Sequence, residues 1–348
     1  MNFATFPLPP AASAVHNELM SFTKPGRHTK GAIRRAGEAI AEGRAERLDE
    51  QIVQEWRDCH AYVLNTFQFT LRRWIKGRPY VLVQRLKRLS TVKDKLRTGR
   101  AKDIASMNDL AGCRLIFPSV SELVAFRNDF HSKSRSQHKY VSADRFDYLG
   151  KPKETGYRGM HDVFTYNVEG APGDAWNGLR VEIQYRTQAQ HAWATAVEIS
   201  DLIDGERVKF EKGANVERER LFVLASEYIA RNAEGMKGTA ASLSDDELLE
   251  ELLSLEEKVG VLGRLKALNS GEIQVPKSRH MILCFSDKLE ILGFRSGRQA
   301  LQRRNQIELD RPFDDVVYIR AEKPNEVAGA FRNYFRNAKG FLDLLPVI

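Results

Sequence analysis

The sequence predicts an α/β protein with a small α+β module at its C-terminal end, on three observations. Helical apolar periods fill most of the first hundred residues and return over 187–268. Runs of strand length and alternation lie between them, at 110–117, 161–168 and 178–186. After Asn269 short β-prone runs alternate with helical ones.

The chain starts MNFATFPLPPAASAVHNEL, with no basic residue before Lys24, and this reads as a loose tail and not a signal peptide. A helix is predicted over 30–42, closed by Gly43. A longer one runs from Leu48 to about Lys76, with Ile52, Trp56, Val63, Phe67 and Leu71 as its core-facing stripe and Gly77 and Pro79 as its stop. A third helix is predicted over 81–97, and then a strand, LAGCRLIF, over 110–117. Ser119 or Ser121 is positioned to cap the helix VSELVAFRNDF. A Gly/Pro/Lys-rich loop covers 147–160, and the next two strands form a long hairpin across EGAPGDAWNG.

The segment 244–268 is predicted as one helix. Ser244 and Glu247 form a capping box, Leu248, Leu252, Leu255, Val259 and Leu262 form the stripe, and the acidic residues favour the first half. RHMILCF and LEILGF, joined by Ser286-Asp287-Lys288, then DDVVYIRA and the helical run EVAGAFRNYFRNAKGFLDLL, predict a β-β-α-β-α module. The expected division is a tail and helix over 1–45, a main domain over 46–269 and the module over 270–348.

The balance of 54 basic against 46 acidic residues in a chain of 348 gives +8, which favours polyanionic partners such as phosphates. Three cysteines, Cys59, Cys113 and Cys284, stand far apart without a CxxC pair, so neither a disulfide framework nor a zinc site is expected. A reducing cytoplasm fits this usage, and no apolar run reaches the length of a membrane span.

Four segments carry polar groups that suit chemistry. In LRVEIQYR (179–186), alternation places Leu179, Val181, Ile183 and Tyr185 on one face and Arg180, Glu182, Gln184 and Arg186 on the other. Over 85–96 a helical reading groups Lys87, Arg88, Thr91 and Lys95 on one arc, which serves either a polyphosphate or plain solvent exposure. Asp109, at the mouth of the 110–117 strand with Arg114 beyond it, can ligate Mg²⁺. The loop DYLGKPKETGYRGMH (147–161) brings lysines, aromatic rings, an arginine and a histidine onto a Gly/Pro frame, where a ring can stack on a base. Lys24, Lys30, Arg34 and Arg35 form a further basic cluster that reads as exposed helix charge or a phosphate contact, and His280, Cys284 and Tyr318 read as ordinary strand residues.

In this order, R-x-K-x-x-x-T-x-x-x-K (Arg85, Lys87, Thr91, Lys95), D-L-A-G-C-R (109–114), the 147–161 loop and E-I-Q-Y-R-T (182–187) resemble the synthetase domain of the RelA/SpoT family, and HAWATAV (191–197) fits the helix that follows. The resemblance covers roughly 80–200. It implies a mixed-sheet, nucleotidyltransferase-like fold flanked by helices, and transfer of pyrophosphate from ATP to the 3′-hydroxyl of GDP or GTP, making (p)ppGpp. It further implies that Arg85, Lys87, Thr91, Lys95 and Arg114 bind ATP, and that Asp109 and Glu182 are the catalytic pair and bind Mg²⁺, Glu182 also serving as base. Lys153, Tyr157, Arg158, His161, Gln184 and Arg186 would bind the acceptor, with Tyr157 stacked on guanine.

The sequence departs from the family pattern at Thr155 (usually Asn), at Gly159 (usually Ser) and at Glu198-Ile199, where a histidine is common. These departures lie on or near the acceptor side. They keep open a toxin-type relative that pyrophosphorylates the 3′ end of tRNA, with residues 270–348 as a neutraliser, a self-interacting segment or a sensor of a trigger protein. An inactive nucleotide- or RNA-binding module is the third reading, disfavoured by the retention of Asp109 and Glu182. The sole His-Asp pair, His161-Asp162, falls in the acceptor loop, and the eighty or so residues before the motifs are short for the family's hydrolase domain, so synthesis without degradation is expected.

Overall fold

The computed structural model describes residues 22–133, 137–141, 145–170, 172–204, 216–268, 276, 278–285, 289–311, 315–320 and 339–346. Helix α1 (Lys30–Ala41) starts at Thr29, whose hydroxyl accepts from the Ala32 amide. Helix α2 (Arg47–Trp74) starts with a reciprocal capping pair, Glu46 and Asp49. The predicted stripe on α2 is buried, and Val63 and Leu71 are fully excluded from solvent.

The helix expected over 81–97 is corrected by the structure. Val81–Leu86 is a strand, β1, and only Leu89–Arg97 is helical, as α3. The β-prone Val-Leu-Val start pairs along its whole length with β2 (Ala111–Phe117), and these ladder bonds replace the local helical ones. Arg85 therefore projects from a strand, and Lys87 lies in the link between strand and helix.

Strands β3 (Lys139–Tyr140), β4 (Met160–Thr165) and β5 (Arg180–Thr187) complete a five-stranded sheet of order β1-β2-β5-β4-β3. Only β2 and β5 run parallel, so the sheet is mixed. The predicted hairpin is β4–β5. Its connection holds a 3₁₀ turn, Asp174–Trp176, and the buried Trp176 indole donates to the Thr23 carbonyl at 3.0 Å. Val181, Ile183 and Tyr185 pack into one core with α1, α2 and α4 (Val120–Lys133), as the alternation predicts. Burial of each such side chain is worth about 1.5–3 kcal/mol. Of the two candidate caps for α4, Ser119 accepts from the Glu122 amide.

Helices α5 (Gln188–Asp204) and α6 (Val216–Glu234) build a second core with residues 245–268. The single helix expected over 244–268 is broken: α7 spans Asp245–Val259 and α8 spans Val261–Leu268. Gly260 between them takes φ +58°, the left-handed conformation that closes a helix. The Glu256 carboxylate then accepts from the amides of Leu262 and Gly263 and caps α8. The Ser244–Glu247 capping box is present.

In the C-terminal part, β6 (His280–Phe285), β7 (Leu289–Phe294) and β8 (Asp315–Arg320) form an antiparallel sheet of order β7-β6-β8, covered by α9 (Gly297–Asp310). The last predicted helix falls mostly outside the described residues. Its end, α10 (Lys339–Leu342), places Phe341 in the core built by α5 and α6. Helix α9 is tied to α2 by ion pairs: Arg304 donates to Asp58 at 3.1 Å, and Arg57 donates to both oxygens of Glu308 at 3.2 and 3.3 Å.

Candidate active site

The polar side of β5 faces a cavity of about 490 Å³. The Lys87 amide donates to the Leu110 carbonyl at 2.8 Å, prolonging the β1–β2 ladder and setting Lys87 beside Asp109. The ammonium groups of Lys87 and Lys95 both lie 2.7 Å from one oxygen of Asp109, Oδ2. Burial would raise the Asp109 pKa, but the two lysines hold it well below the usual carboxylate range. Burial pulls Lys87 down to about 8 in spite of Asp109.

Glu182 lies opposite Gly112 in the parallel β2–β5 register, on the same cavity. Its Oε1 is 3.0 Å from His161 Nδ1, and Gln184 Nε2 donates to its Oε2 at 2.6 Å. Although burial opposes ionisation, His161 keeps the Glu182 pKa low, and Asp109 works against it through like charge. His161 Nε2 lies 2.6 Å from the Tyr157 hydroxyl, which accepts from Arg186 Nε and Nη2 at 3.1 and 2.9 Å. Burial lowers the His161 pKa, but Tyr157 and Glu182 outweigh it and raise the pKa on balance. Gln184 Oε1 accepts from Arg114 at 3.3 Å and from Arg186 at 3.4 Å, so one amide links the carboxylate to two guanidinium groups.

Most of the residues singled out in the sequence meet on this wall: Arg85, Lys87, Lys95, Asp109, Arg114, Lys153, Tyr157, His161, Glu182, Gln184 and Arg186. Thr91, on α3, is not among the lining residues. Arg158 is turned away: it is 3% exposed and pairs with Glu234 at the end of α6. Tyr157 is itself only 4% exposed and belongs to the core around Trp193, but it still borders the cavity, whereas Arg158 does not.

The wall also holds residues the sequence reading did not assign, including Arg100, Lys102, Asn108, Phe146 and Tyr148. Tyr148 belongs to the 147–161 loop, and its ring carries the Lys153 ammonium at 4.4 Å from the centroid. The aromatic-plus-lysine content of that loop was its one signal. Arg180 donates to Asn108 Oδ1 at 2.7 Å and to the Ser106 carbonyl at 2.9 Å, fixing the approach to Asp109.

On the cavity wall Arg85, Lys87, Lys95, Arg100, Lys102, Arg114, Lys153 and Arg186 outnumber the carboxylates Asp103, Asp109, Glu182 and Glu198. Such a site attracts a polyphosphate and still presents hard oxygens to a divalent cation. Among the described residues no cluster of three or more His, Cys, Asp or Glu that could hold a metal is present. Asp109 and Glu182 are enough for Mg²⁺, which takes one or two carboxylates together with substrate phosphate. Asp109 fits that role, because both lysines use Oδ2 and no hydrogen bond falls on Oδ1 among the described residues.

Residues 84–200 match the family described as the region found in RelA / SpoT proteins. Over 113 residues the chain is 29% identical to the GTP pyrophosphokinase YjbM of Bacillus subtilis (strain 168), a stretch covering 32% of this chain and 51% of that relative, about half its length. The small alarmone synthetase 1 from Bacillus subtilis, solved bound to its product pppGpp, aligns at a TM-score of 0.41 and 22% identity, over 58% of this chain and 94% of that one. A GTP pyrophosphokinase family protein from Streptococcus pneumoniae aligns at 0.38 and 19% identity, over 61% and 95%. The cavity wall from Arg85 to Glu198 lies wholly inside the segment that matches the region found in RelA / SpoT proteins.

Proposed function

We propose that the cavity is the active centre of a Mg²⁺-dependent transferase that moves pyrophosphate from ATP to the 3′-hydroxyl of GDP or GTP, making (p)ppGpp without hydrolysing it. The observation that carries this reading is the placing of two carboxylates, Asp109 and Glu182, on one wall otherwise dominated by lysine and arginine. Lys87, Lys95, Arg85 and Arg114 are suited to the ATP phosphates, and Asp109 and Glu182 to the cation, which neutralises charge on the transferred group. Thr91 belongs to the donor side by motif alone. The acceptor oxygen attacks the β-phosphorus, the bond from that phosphorus to the AMP oxygen breaks, and AMP leaves.

Glu182 takes the hydroxyl proton. Its low pKa makes it a weak base, which is tolerable where the transition state is loose and the proton departs late. Tyr148, under Lys153, offers a ring beside the acceptor position, while the Tyr157 ring, 4% exposed and covered by Arg186 and Lys153, supports that wall from behind instead of stacking on guanine.

A second acceptor, the 3′ end of tRNA, is favoured by the shape of the loop. Gly159 has φ +144°, and a Cβ there would lie 3.2 Å from the Tyr185 carbonyl oxygen, so the serine usual in the family is strained at this position. The Thr155 hydroxyl is buried without a hydrogen-bond partner among the described residues, where an asparagine is usual. In that reading, residues 270–348 neutralise the enzyme or sense a trigger protein. Cytoplasmic residence is part of the proposal. No helix among the described residues is long and apolar enough to cross a membrane, and Cys59, Cys113 and Cys284 are free and buried.

ATP labelled in its γ-phosphate, offered with Mg²⁺ and GDP, GTP or bulk tRNA, decides between the acceptors. Label is expected on the guanine nucleotide. Label on tRNA alone moves the assignment to the second reading, and label on neither reduces the protein to a nucleotide- or RNA-binding module.

A further inference from the structure

A second cavity, of about 540 Å³, opens at the seam between the C-terminal module and the outer edge of the main sheet. Strand β1, the edge strand, contributes Gln84 and Leu86, and α2 contributes Leu64 and Asn65. The first turn of α9 lies across from them beside His280 and Tyr318. Apart from Arg85, which borders both cavities, this wall shares no residue with the proposed transferase site. The volume suits a small-molecule site.

Three features of the wall select for a ligand with an anionic end and a polar end. The first is charge. Arg85, Arg298 and Arg304 stand against one lining carboxylate, Asp58, and Arg304 already donates to Asp58 at 3.1 Å. Arg298 is exposed at the rim with no ion-pair partner among the described residues. The second is the start of α9, a 14-residue helix capped by Ser296, where first-turn amides and the helix dipole favour a phosphate. Gly297 matters here: a Cβ would sit 2.9 Å from the Tyr318 hydroxyl, which closes on His280 Nδ1 at 2.7 Å.

The third feature points to a ligand independently of charge. Gln84 is 7% exposed, and its Oε1 is buried without a hydrogen-bond partner among the described residues. An unmet buried carbonyl oxygen is a standing cost to the fold, and a leucine of similar bulk would avoid it. Such a cost is kept where a ligand supplies the missing donor.

We propose that the seam cavity binds a mononucleotide, with its phosphates at Arg298 and the start of α9 and an N–H or hydroxyl donor of its base or sugar on Gln84. Leu64 and Leu86 provide apolar surface alongside, and Arg85 is placed to sense occupancy from the neighbouring cavity.

The test is equilibrium dialysis of labelled GTP and ATP against the full chain, with hydrogen exchange read across residues 297–301. Arg298→Glu is expected to bind one equivalent fewer than the wild type and to lose a nucleotide-dependent protection of 297–301. Lys95→Ala, which affects the first cavity, should keep that protection. Gln84→Leu is expected to weaken binding at the seam by about tenfold or more while raising the melting temperature. Equal stoichiometry in the wild type and Arg298→Glu, or no nucleotide-dependent protection of 297–301, overturns the proposal whatever the fate of the transferase activity. Full seam affinity in Gln84→Leu overturns it as well.

Discussion

His161 Nδ1 lies 3.0 Å from Glu182 Oε1 on the neighbouring strand, so the proposed base is oriented by an imidazole that is itself held by Tyr157. In either protonation state it is the Nδ1 proton that faces the carboxylate. Glu182→Gln removes the charge and the proton acceptor together, and turnover is expected to fall by roughly 10²–10⁴ with ATP affinity little changed. His161→Ala leaves the carboxylate held by Gln184 alone among the described residues, on Oε2, and a loss of about 10–100-fold is expected. Single-turnover rates with saturating ATP measure both. A Glu182→Gln enzyme of full activity removes the base assignment.

Lys87 and Lys95 make the same bond to Asp109 from different surroundings. The Lys87 side chain is 10% exposed and that of Lys95 21%. Lys95→Ala is therefore expected to raise the KM for ATP with little effect on folding. Lys87→Ala should do the same and also lower the melting temperature, because it opens a buried gap beside Asp109. Unchanged ATP affinity in both variants reduces these lysines to structural partners of Asp109.

How much of this was readable beforehand depended on whether the deciding contact was local. The alternation in LRVEIQYR determines which face of β5 is buried, and that face carries Val181, Ile183 and Tyr185 as read. The 81–97 helix failed because Leu86, Leu89, Val92 and Leu96 keep helical spacing across a strand–helix junction. Only the distant partner β2 makes 81–86 a strand. Gly260 was visible, but the leucine stripe runs through it, and the break depends on a left-handed backbone. The motif assigns Arg158 to the acceptor, and no local pattern points to its partner Glu234, 76 residues away in sequence.

That placement of Arg158 has a measurable consequence. Glu234 accepts from Arg158, from the Thr187 hydroxyl and from Gln190, all out of water. Arg158→Ala leaves a buried carboxylate short of its counter-charge, and a destabilisation of about 3 kcal/mol is expected. Urea unfolding should reveal it, while KM for the acceptor among the folded molecules stays near the wild-type value. A raised acceptor KM without a stability loss supports a ligand role instead.

Stability should also depend on pH through His60, which is fully buried on α2 and lies 2.9 Å through Nδ1 from the Trp56 carbonyl. Burial pulls its pKa from 6.5 to about 4, against the opposing effect of that hydrogen bond. As the pH falls below 6.5 the unfolded chain binds a proton that the folded chain refuses. The stabilisation is thus complete above 6.5 and is lost progressively down to about 4, by about 3 kcal/mol in all. Burial lowers the pKa of His138 also, and it acts in the same direction. The informative quantity is therefore the difference between the wild type and His60→Asn, an amide that can still donate to Trp56. Its urea midpoint should fall less steeply between pH 7 and 4.5, and parallel curves exclude His60 as the source.

Helix α9 of the C-terminal module is linked to the Lys87 backbone by a buried side chain. Arg57, 1% exposed, donates from Nε to the Lys87 carbonyl at 2.6 Å while its two terminal nitrogens hold Glu308 of α9. Removing the Glu308 carboxylate leaves that guanidinium buried with a weaker set of partners, Gln54 at 3.3 Å and Asp58 at 4.0 Å. Its hold on the Lys87 backbone should loosen accordingly. Glu308→Ala is expected to cost about 3 kcal/mol of stability and to raise the KM for ATP, although Glu308 lies outside the cavity. Glu308→Gln keeps a hydrogen-bond acceptor for Arg57 and should restore much of the ATP affinity but only part of the stability. If ATP affinity is unmoved in both variants while stability falls, Arg57 is a structural link alone and the module does not position Lys87.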